Sequence, residues 1–152
     1  MKLSTKGRYG SRAMLDLALH TDAAAGPVSL NSIAARQSIS EEYLEQIFST
    51  LRKSGLVESV RGAQGGYRLG RSADKITVGE ILRSLEGSLA PVDCVTEGRT
   101  TNDCVKYEEC VMREVWERMR DSLNQTVDSI TLEDLAHRYR QKNNNAEFMY
   151  YI

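Results

Sequence analysis

Cys94, Cys104 and Cys110 are the only cysteines of this 152-residue chain, and all three fall within 17 residues of one another. Nine residues separate the first two and five the last two, and the first gap is long enough to fold all three thiols around one centre. Paired Cys-x-x-Cys knuckles, the usual mark of structural zinc, are absent. Thiolates also suit iron–sulfur groups, which take four protein ligands. A fourth ligand of oxygen or nitrogen would hold iron less firmly than another thiolate and leave a labile cluster of the sort a sensor can use. Cys110 lies near the start of a long helical stretch, where the helix dipole favours thiolate. The opposing reading is three cysteines without metal, either inert or acting as a redox switch.

Charge separates the region bearing these thiols from what precedes it. Residues 1–71 carry ten Lys/Arg against six Asp/Glu, whereas residues 72–152 carry ten against fifteen, under a net charge of -1. A basic front joined to an acidic back suits a nucleic-acid-binding module attached to something that must stay off DNA. The apolar run Ala13–Leu19 is short and contains Asp16, so no secretion or membrane signal is expected and the protein is placed in the cytoplasm. In that reducing compartment an odd cysteine count points to thiolate chemistry rather than to disulfides.

The front half reads as a DNA-binding unit. Apolar residues at helical spacing from Thr5 to His20, among them Tyr9, Ala13 and Leu17, predict a first helix whose opening is basic (Lys2, Lys6, Arg8, Arg12). Ser29 can cap a short helix to about Arg36, and after the turn Gln37–Ser38–Ile39, Ser40 can cap a second. Its buried stripe would be Leu44, Ile47, Phe48 and Leu51, with Glu41 and Glu42 at its positive end and Gly55 as its stop. Two short helices across a tight turn form a helix-turn-helix pattern. A strand over Leu56–Val60, the loop Arg61-Gly62-Ala63-Gln64-Gly65-Gly66 and a return strand at Tyr67–Leu69 add a hairpin wing, with Arg68 and Arg71 as further charges beside Arg61. The loop lacks the Gly-Lys-Ser/Thr ending of a P-loop and is not a dinucleotide fingerprint.

Thr77-Val78-Gly79-Glu80 is a capping box that opens a helix ending at Gly87. Residues 88–106 have little periodicity. From about Tyr107 a long helix is expected, with Val111, Val115, Met119, Leu123 and Val127 at steps of four, a face that must be buried on its own domain or, the favoured reading, on a second copy of the chain. Thr131 starts a last helix with Leu135 and Tyr139 as its inner face, fraying at the asparagines from Asn143. The apolar terminus Phe148–Ile152 suggests docking on a partner subunit. The fold class is therefore mainly α: a winged helix-turn-helix domain with a small β-hairpin (1–87), a cysteine-bearing sensor loop (88–106), and a dimerisation helix with a C-terminal helix (107–152). No nucleophile, base and orienting group converge, so no enzyme is expected.

The segments Leu3–Tyr9, Tyr43–Phe48, Leu51–Val57, Val60–Tyr67 and Ile130–Leu132 together make the chain resemble the IscR class of iron–sulfur-sensing winged-helix transcription regulators. That family also includes the nitric-oxide sensor NsrR and the cysteine-metabolism repressor CymR. The resemblance implies a homodimer on double-stranded promoter DNA with one [2Fe–2S] cluster per subunit on Cys94, Cys104 and Cys110, regulating iron–sulfur biogenesis genes. It implies DNA contacts from Lys6, Tyr9, Glu42, Glu45, Gln46, Arg61, Gly62, Gly65 and Gly66. Glu45 and Gln46 would face bases, Arg61 would enter the minor groove, and Glu45 would discriminate between two promoter types. A carboxylate accepts from cytosine and is unfavourable beside most other base edges, a difference of about 1–3 kcal/mol per matched contact. Glu42 replaces a smaller polar residue, so the preferred operator is expected to differ.

Three departures concern the cluster, one of them a first cysteine gap shorter than in the IscR pattern. Arg113 stands where the IscR pattern has a histidine, and Arg8 stands where NsrR proteins supply an acid. The fourth ligand is then left to Glu109, Glu114, Asp103, His137, solvent or a small thiol. His20 and His137 otherwise read as ordinary helix-surface residues. The alternatives are a cluster-free regulator of cysteine or sulfur metabolism governed by thiols or a partner, a nitric-oxide-sensing repressor, and, from another class, an iron–sulfur carrier, for which the wing and basic first helix would have no purpose.

Overall fold

The computed structural model describes residues 2–21, 26–98, 104 and 107–149. Helix α1 (Thr5–His20) is capped by Ser4, whose hydroxyl accepts from the Gly7 amide at 3.1 Å. Helices α2 (Leu30–Gln37) and α3 (Glu41–Lys53) are capped in the same manner by Ser29 and Ser40. Between them Ser38 takes the left-handed conformation (φ 54°), and the Ile39 amide donates to the Ala34 carbonyl, which closes the tight turn. Gly55, with φ 73°, lets the chain leave α3 and enter β1 (Val57–Val60), which pairs antiparallel with β2 (Gly66–Leu69).

The wing is broader than a two-strand hairpin. Val28, just before α2, exchanges two backbone hydrogen bonds with Tyr67 at 2.8 and 2.7 Å, adding a one-residue bridge on the outer edge of β2. A side chain at Gly66 would overlap the Val28 backbone, so the glycine is required by this close approach as well as by its φ of 157°. The Phe48 and Tyr67 rings meet edge-on, with centroids 4.8 Å apart, and tie α3 to the wing.

Helix α4 (Val78–Glu86) has both reciprocal bonds of the expected capping box between Thr77 and Glu80. It crosses α1 closely: a side-chain carbon added at Gly10 would overlap Leu85, and one at Gly7 would overlap the Glu86 carboxylate. One core, including Met14, Leu17, Ile33, Leu44, Phe48, Leu51, Ile76 and Ile81, joins α1 to α4 and the wing. Leu132, at the start of helix α6 (Leu132–Met149), is fully buried in that same core. Backbone bonds from Val78 to the Ile130 carbonyl and from Leu132 to the Ile76 carbonyl, each 2.9 Å, fasten the last helix to the start of α4.

Four expectations change. Helix α5 spans Met112–Asp128, so it begins five residues later than periodicity suggested; residues 107–109 form turns and Val111 is its cap, 78% exposed. The inner face of α6 is Leu132 and Ala136 rather than Leu135 and Tyr139; Tyr139 is exposed. This helix also continues through the asparagines to Met149 instead of fraying. Within the expected sensor loop, Asp93–Val95 forms a single 3-10 turn whose Val95 is buried. Tyr150–Ile152 lie outside the described residues.

Candidate nucleic-acid interface and thiol segment

Burying Leu44, Ile47, Phe48 and Leu51 turns the opposite face of α3 outward, and this places Glu42, Glu45 and Gln46 on one exposed strip at helical spacing. Among the described residues their side chains form no ion pair with the rest of the chain. Tyr9 is half-buried and meets the Tyr43 ring edge-on at 6.1 Å, while the Arg12 guanidinium lies over the Tyr9 ring, 5.8 Å from the centroid. Tyr9 therefore braces α1 against α3, and Lys6 lies one turn nearer the start of α1.

The wing tip is closed by the Gly65 amide donating to the Gly62 carbonyl at 3.0 Å, with Gly62 at φ 119°. Arg61 stands exposed at its base without an ion-pair partner among the described residues. The other two wing arginines are committed within the chain: Arg68 pairs across the strands with Glu58 at 2.8 Å, and Arg71 pairs with Glu80 on α4 at 2.5 Å. They are not the free charges that the sequence suggested. Arg12 is also engaged, donating to the Gln37 side chain at 3.2 Å and to its carbonyl at 3.0 Å.

Behind this surface lies a polar anchor that sequence reasoning did not single out. Asp16 is 3% exposed and accepts from Arg36 Nη2 at 2.6 Å and from Gln37 Nε2 at 2.8 Å, with Arg36 Nε at 3.1 Å from both carboxylate oxygens. This bidentate pair holds α2 to α1, and the hydrogen bond to Asp16 raises the Arg36 pKa against the opposing effect of burial. An aspartate inside an otherwise apolar run was the available signal, since a buried carboxylate requires a cationic partner.

The cysteine segment connects α4 to α5. Cys94 is exposed in the 3-10 turn, and that turn is fastened to α5 by Arg120, which donates to the Val95 carbonyl at 2.9 Å. Glu97 accepts from Asn124 on α5 at 2.7 Å and from Ser88 at 3.0 Å. Its carboxyl is held below its ordinary pKa by its own backbone amide first, against the cost of burial, and then by Asn124 and Ser88. Cys104 is exposed, and Cys110 is half-buried two residues ahead of α5, its carbonyl accepting from the Arg113 amide at 3.1 Å. All three thiols are free. Among the described residues no three His, Cys, Asp or Glu side chains are gathered closely enough to hold a metal ion. Arg113 lies over the Tyr107 ring at 4.3 Å and pairs with Glu117 at 2.8 Å. Glu109, Glu114 and His137 are exposed, and Asp103 lies outside the described residues.

Residues 3–138 match the family model described as "Rrf2: Iron-dependent Transcriptional regulator". The chain belongs to the Rrf2 family. It is 48% identical to the HTH-type transcriptional regulator CymR of Bacillus subtilis over the full length of both chains. It is 44% identical to the HTH-type transcriptional regulator IscR of Escherichia coli, covering 90% of this chain and 81% of that one. Among solved structures, T. potens IscR superposes with a TM-score of 0.72 at 49% identity, covering 91% of this chain and 88% of that one. This Rrf2 protein is thus a winged-helix, DNA-binding transcription regulator, as its motifs implied. No described helix is long and apolar enough to cross a membrane.

The α5 stripe of this Rrf2 protein divides into two parts. Leu123 and Val127 pack on Leu82 and Leu89 beside α4, whereas Met112, Val115 and Met119 remain 43–45% exposed on the N-terminal half. Spaced three and four residues apart, these three form one apolar face continuous with Val111.

Proposed function

We propose that this protein is a cytoplasmic homodimeric regulator, not a catalyst, whose operator affinity is set by the state of Cys94, Cys104 and Cys110, and that the group they hold is a [2Fe–2S] cluster. The observation that carries the reading is the placing of three free, solvent-reaching thiols on the segment that joins α4 of the DNA-binding unit to α5. The donor chemistry fits: thiolates are the ligands such a cluster takes, and none of the three is committed to the core or to a disulfide. When bound, the cluster would supply a redox-active and labile link between the three thiols. The rest belongs to the chain's own residues. Arg120 and Glu97 hold the Cys94 turn against α5, and Arg83 on α4 donates to Asn124 and pairs with Asp128 on that same helix. A change of state at Cys94, Cys104 and Cys110 therefore bears on α4 and α5 together, and through them on the spacing of two reading heads.

On DNA, Glu42, Glu45 and Gln46 present acceptors and an amide to base edges in the major groove, and Arg61 is free to enter the minor groove with the backbone of Gly62, Gly65 and Gly66 close to the duplex. Lys6 contributes phosphate contact and Tyr9 the brace behind it. The exposed face of Met112, Val115 and Met119 meets its twofold mate, which matches the two half-sites of a near-palindromic operator.

Anaerobic reconstitution tests the cofactor. A coloured protein is expected with iron and acid-labile sulfide, both lost in the Cys94→Ser variant; a colourless, iron-free protein refutes the cluster. A second reading, a cluster-free regulator of sulfur metabolism controlled by thiols or a partner protein, draws support from the likeness to CymR and from Arg113, whose guanidinium cannot coordinate iron. In that case thiol oxidation, not iron, shifts operator affinity.

A further inference from the structure

Helix dipoles favour acids in the first turn, yet α1 has none there and instead carries Lys6 and Arg8. A basic opening suits phosphate and opposes the helix that presents it. The missing acid comes from another element. Glu86, the last residue of α4, accepts from the Ser4 amide at 3.1 Å and from the Ser4 hydroxyl. That hydroxyl gives its proton to the carboxylate and keeps a lone pair for the Gly7 amide, so one carboxylate orients the N-cap that in turn secures the first turn. Gly7 leaves room for it: any side chain there would overlap Glu86 through its carboxylate oxygen, Cδ and Cγ, and no other residue is among the three nearest atoms. Directly after Glu86 the chain turns at Gly87, with φ 84°, into the segment that leads to the cysteines.

We infer that Glu86 is the positioning residue for the basic opening of α1: its carboxylate caps that helix from α4 and sets where Lys2 and Lys6 meet the DNA backbone. This deepens the DNA-binding reading and rests on the opening of α1 facing phosphate. It is also opposite in sign to simple electrostatics. A carboxylate near DNA that did nothing but repel phosphate would, once neutralised, strengthen binding.

The test uses the full-length protein and the duplex that the wild type enriches from a random pool, titrated by fluorescence anisotropy at several salt concentrations. Glu86→Gln, which leaves the Ser4 cap in place but removes the charge that orients it, is expected to weaken binding by about five- to tenfold, the difference between a charge-assisted and a neutral hydrogen bond. Because Glu86→Gln could also lower stability, the second variant is Gly7→Ala combined with Glu86→Ala. There the alanine methyl occupies the vacated space and favours helix, restoring the thermal midpoint but not the carboxylate. Affinity that stays reduced in this stable double variant supports the inference. Full recovery of affinity alongside stability makes Glu86 merely structural and overturns it, as does unchanged or tighter binding by Glu86→Gln. Lys6→Ala is the control for the underlying reading: if it leaves affinity and salt slope unchanged, the opening of α1 does not face DNA. If it weakens binding while Glu86→Gln does not, the interface stands and the inference alone fails.

Discussion

Replacing Asp16 by alanine removes the only buried charged side chain among the described residues and strands its partner. The carboxylate is 3% exposed and accepts a bidentate contact from Arg36 together with the Gln37 amide. Breaking a buried pair from one side costs about 3–5 kcal/mol, because the remaining charge is left without compensation. The Arg36 side chain retains 34% of its exposure and can turn partly to water, which lowers the expected loss to about 2–4 kcal/mol. For a chain of this length each kcal/mol moves the midpoint by roughly 2–4 °C, so a fall of at least about 4 °C is expected at fixed protein concentration. Urea unfolding followed by circular dichroism measures the free energy directly, with an unchanged slope showing that the denatured state is not what moved. Asp16→Ala combined with Arg36→Ala should recover part of the loss, since the stranded guanidinium is gone. A single Asp16→Ala variant within about 0.5 kcal/mol of wild type, the range of ordinary surface substitutions, would refute the anchoring role.

Arg61→Ala should leave the thermal midpoint unchanged, because the side chain is exposed and without an ion-pair partner among the described residues, and should weaken operator binding. If the arginine meets a phosphate, the logarithmic salt slope should also shrink by about 0.9, and identical anisotropy titrations for the two proteins would remove the wing from the interface. Glu45→Ala should relax base preference, read by selection from random duplexes; the same motif from both proteins contradicts base readout by Glu45. Met119→Asp should shift sedimentation from dimer toward monomer by about tenfold or more in the association constant, since burying an unpaired carboxylate is costly; an unaltered dimer would move the twofold seam elsewhere. Acid should destabilise the fold. Burial alone would raise the Glu80 carboxyl, but the Thr77 amide and Arg71 outweigh it and hold it below its ordinary value, and Glu97 is held low as well. Carboxyls depressed in the folded state contribute stability that is present above their unfolded pKa, about 4.3, and lost as pH falls through the folded one. The thermal midpoint should therefore decline from about pH 5 downward, and a Glu97→Gln variant with the same pH profile as wild type would exclude Glu97 from that decline.

Local pattern was sufficient wherever a single element had to bury one face. The bounds of α1, the Ser29 and Ser40 caps, the turn at Ser38, the reading stripe of α3 and the Thr77–Glu80 box were all legible, because capping and helical periodicity act within a few residues. The same pattern misplaced the start of α5 and the inner face of α6. Apolar spacing shows that a face must be covered but does not say by what, and Tyr139 is left outside while Ala136 packs within.

Charges show the division most clearly. Composition identified a basic front half, but it could not distinguish Arg61, unpaired among the described residues, from Arg68 and Arg71, spent on Glu58 and Glu80, because an ion pair is made by strand register and helix packing. Asp16 with Arg36 and Ser4 with Glu86 are 20 and 82 residues apart in sequence, and no local rule couples residues at such separations. The order of elements, the exposed strip of α3 and the clustering of three thiols were thus properties of the sequence itself. Which charges remain available to DNA, which acid caps α1, and how the Cys94 turn is tied to α5 were decided only when the tertiary fold brought distant side chains within hydrogen-bonding reach.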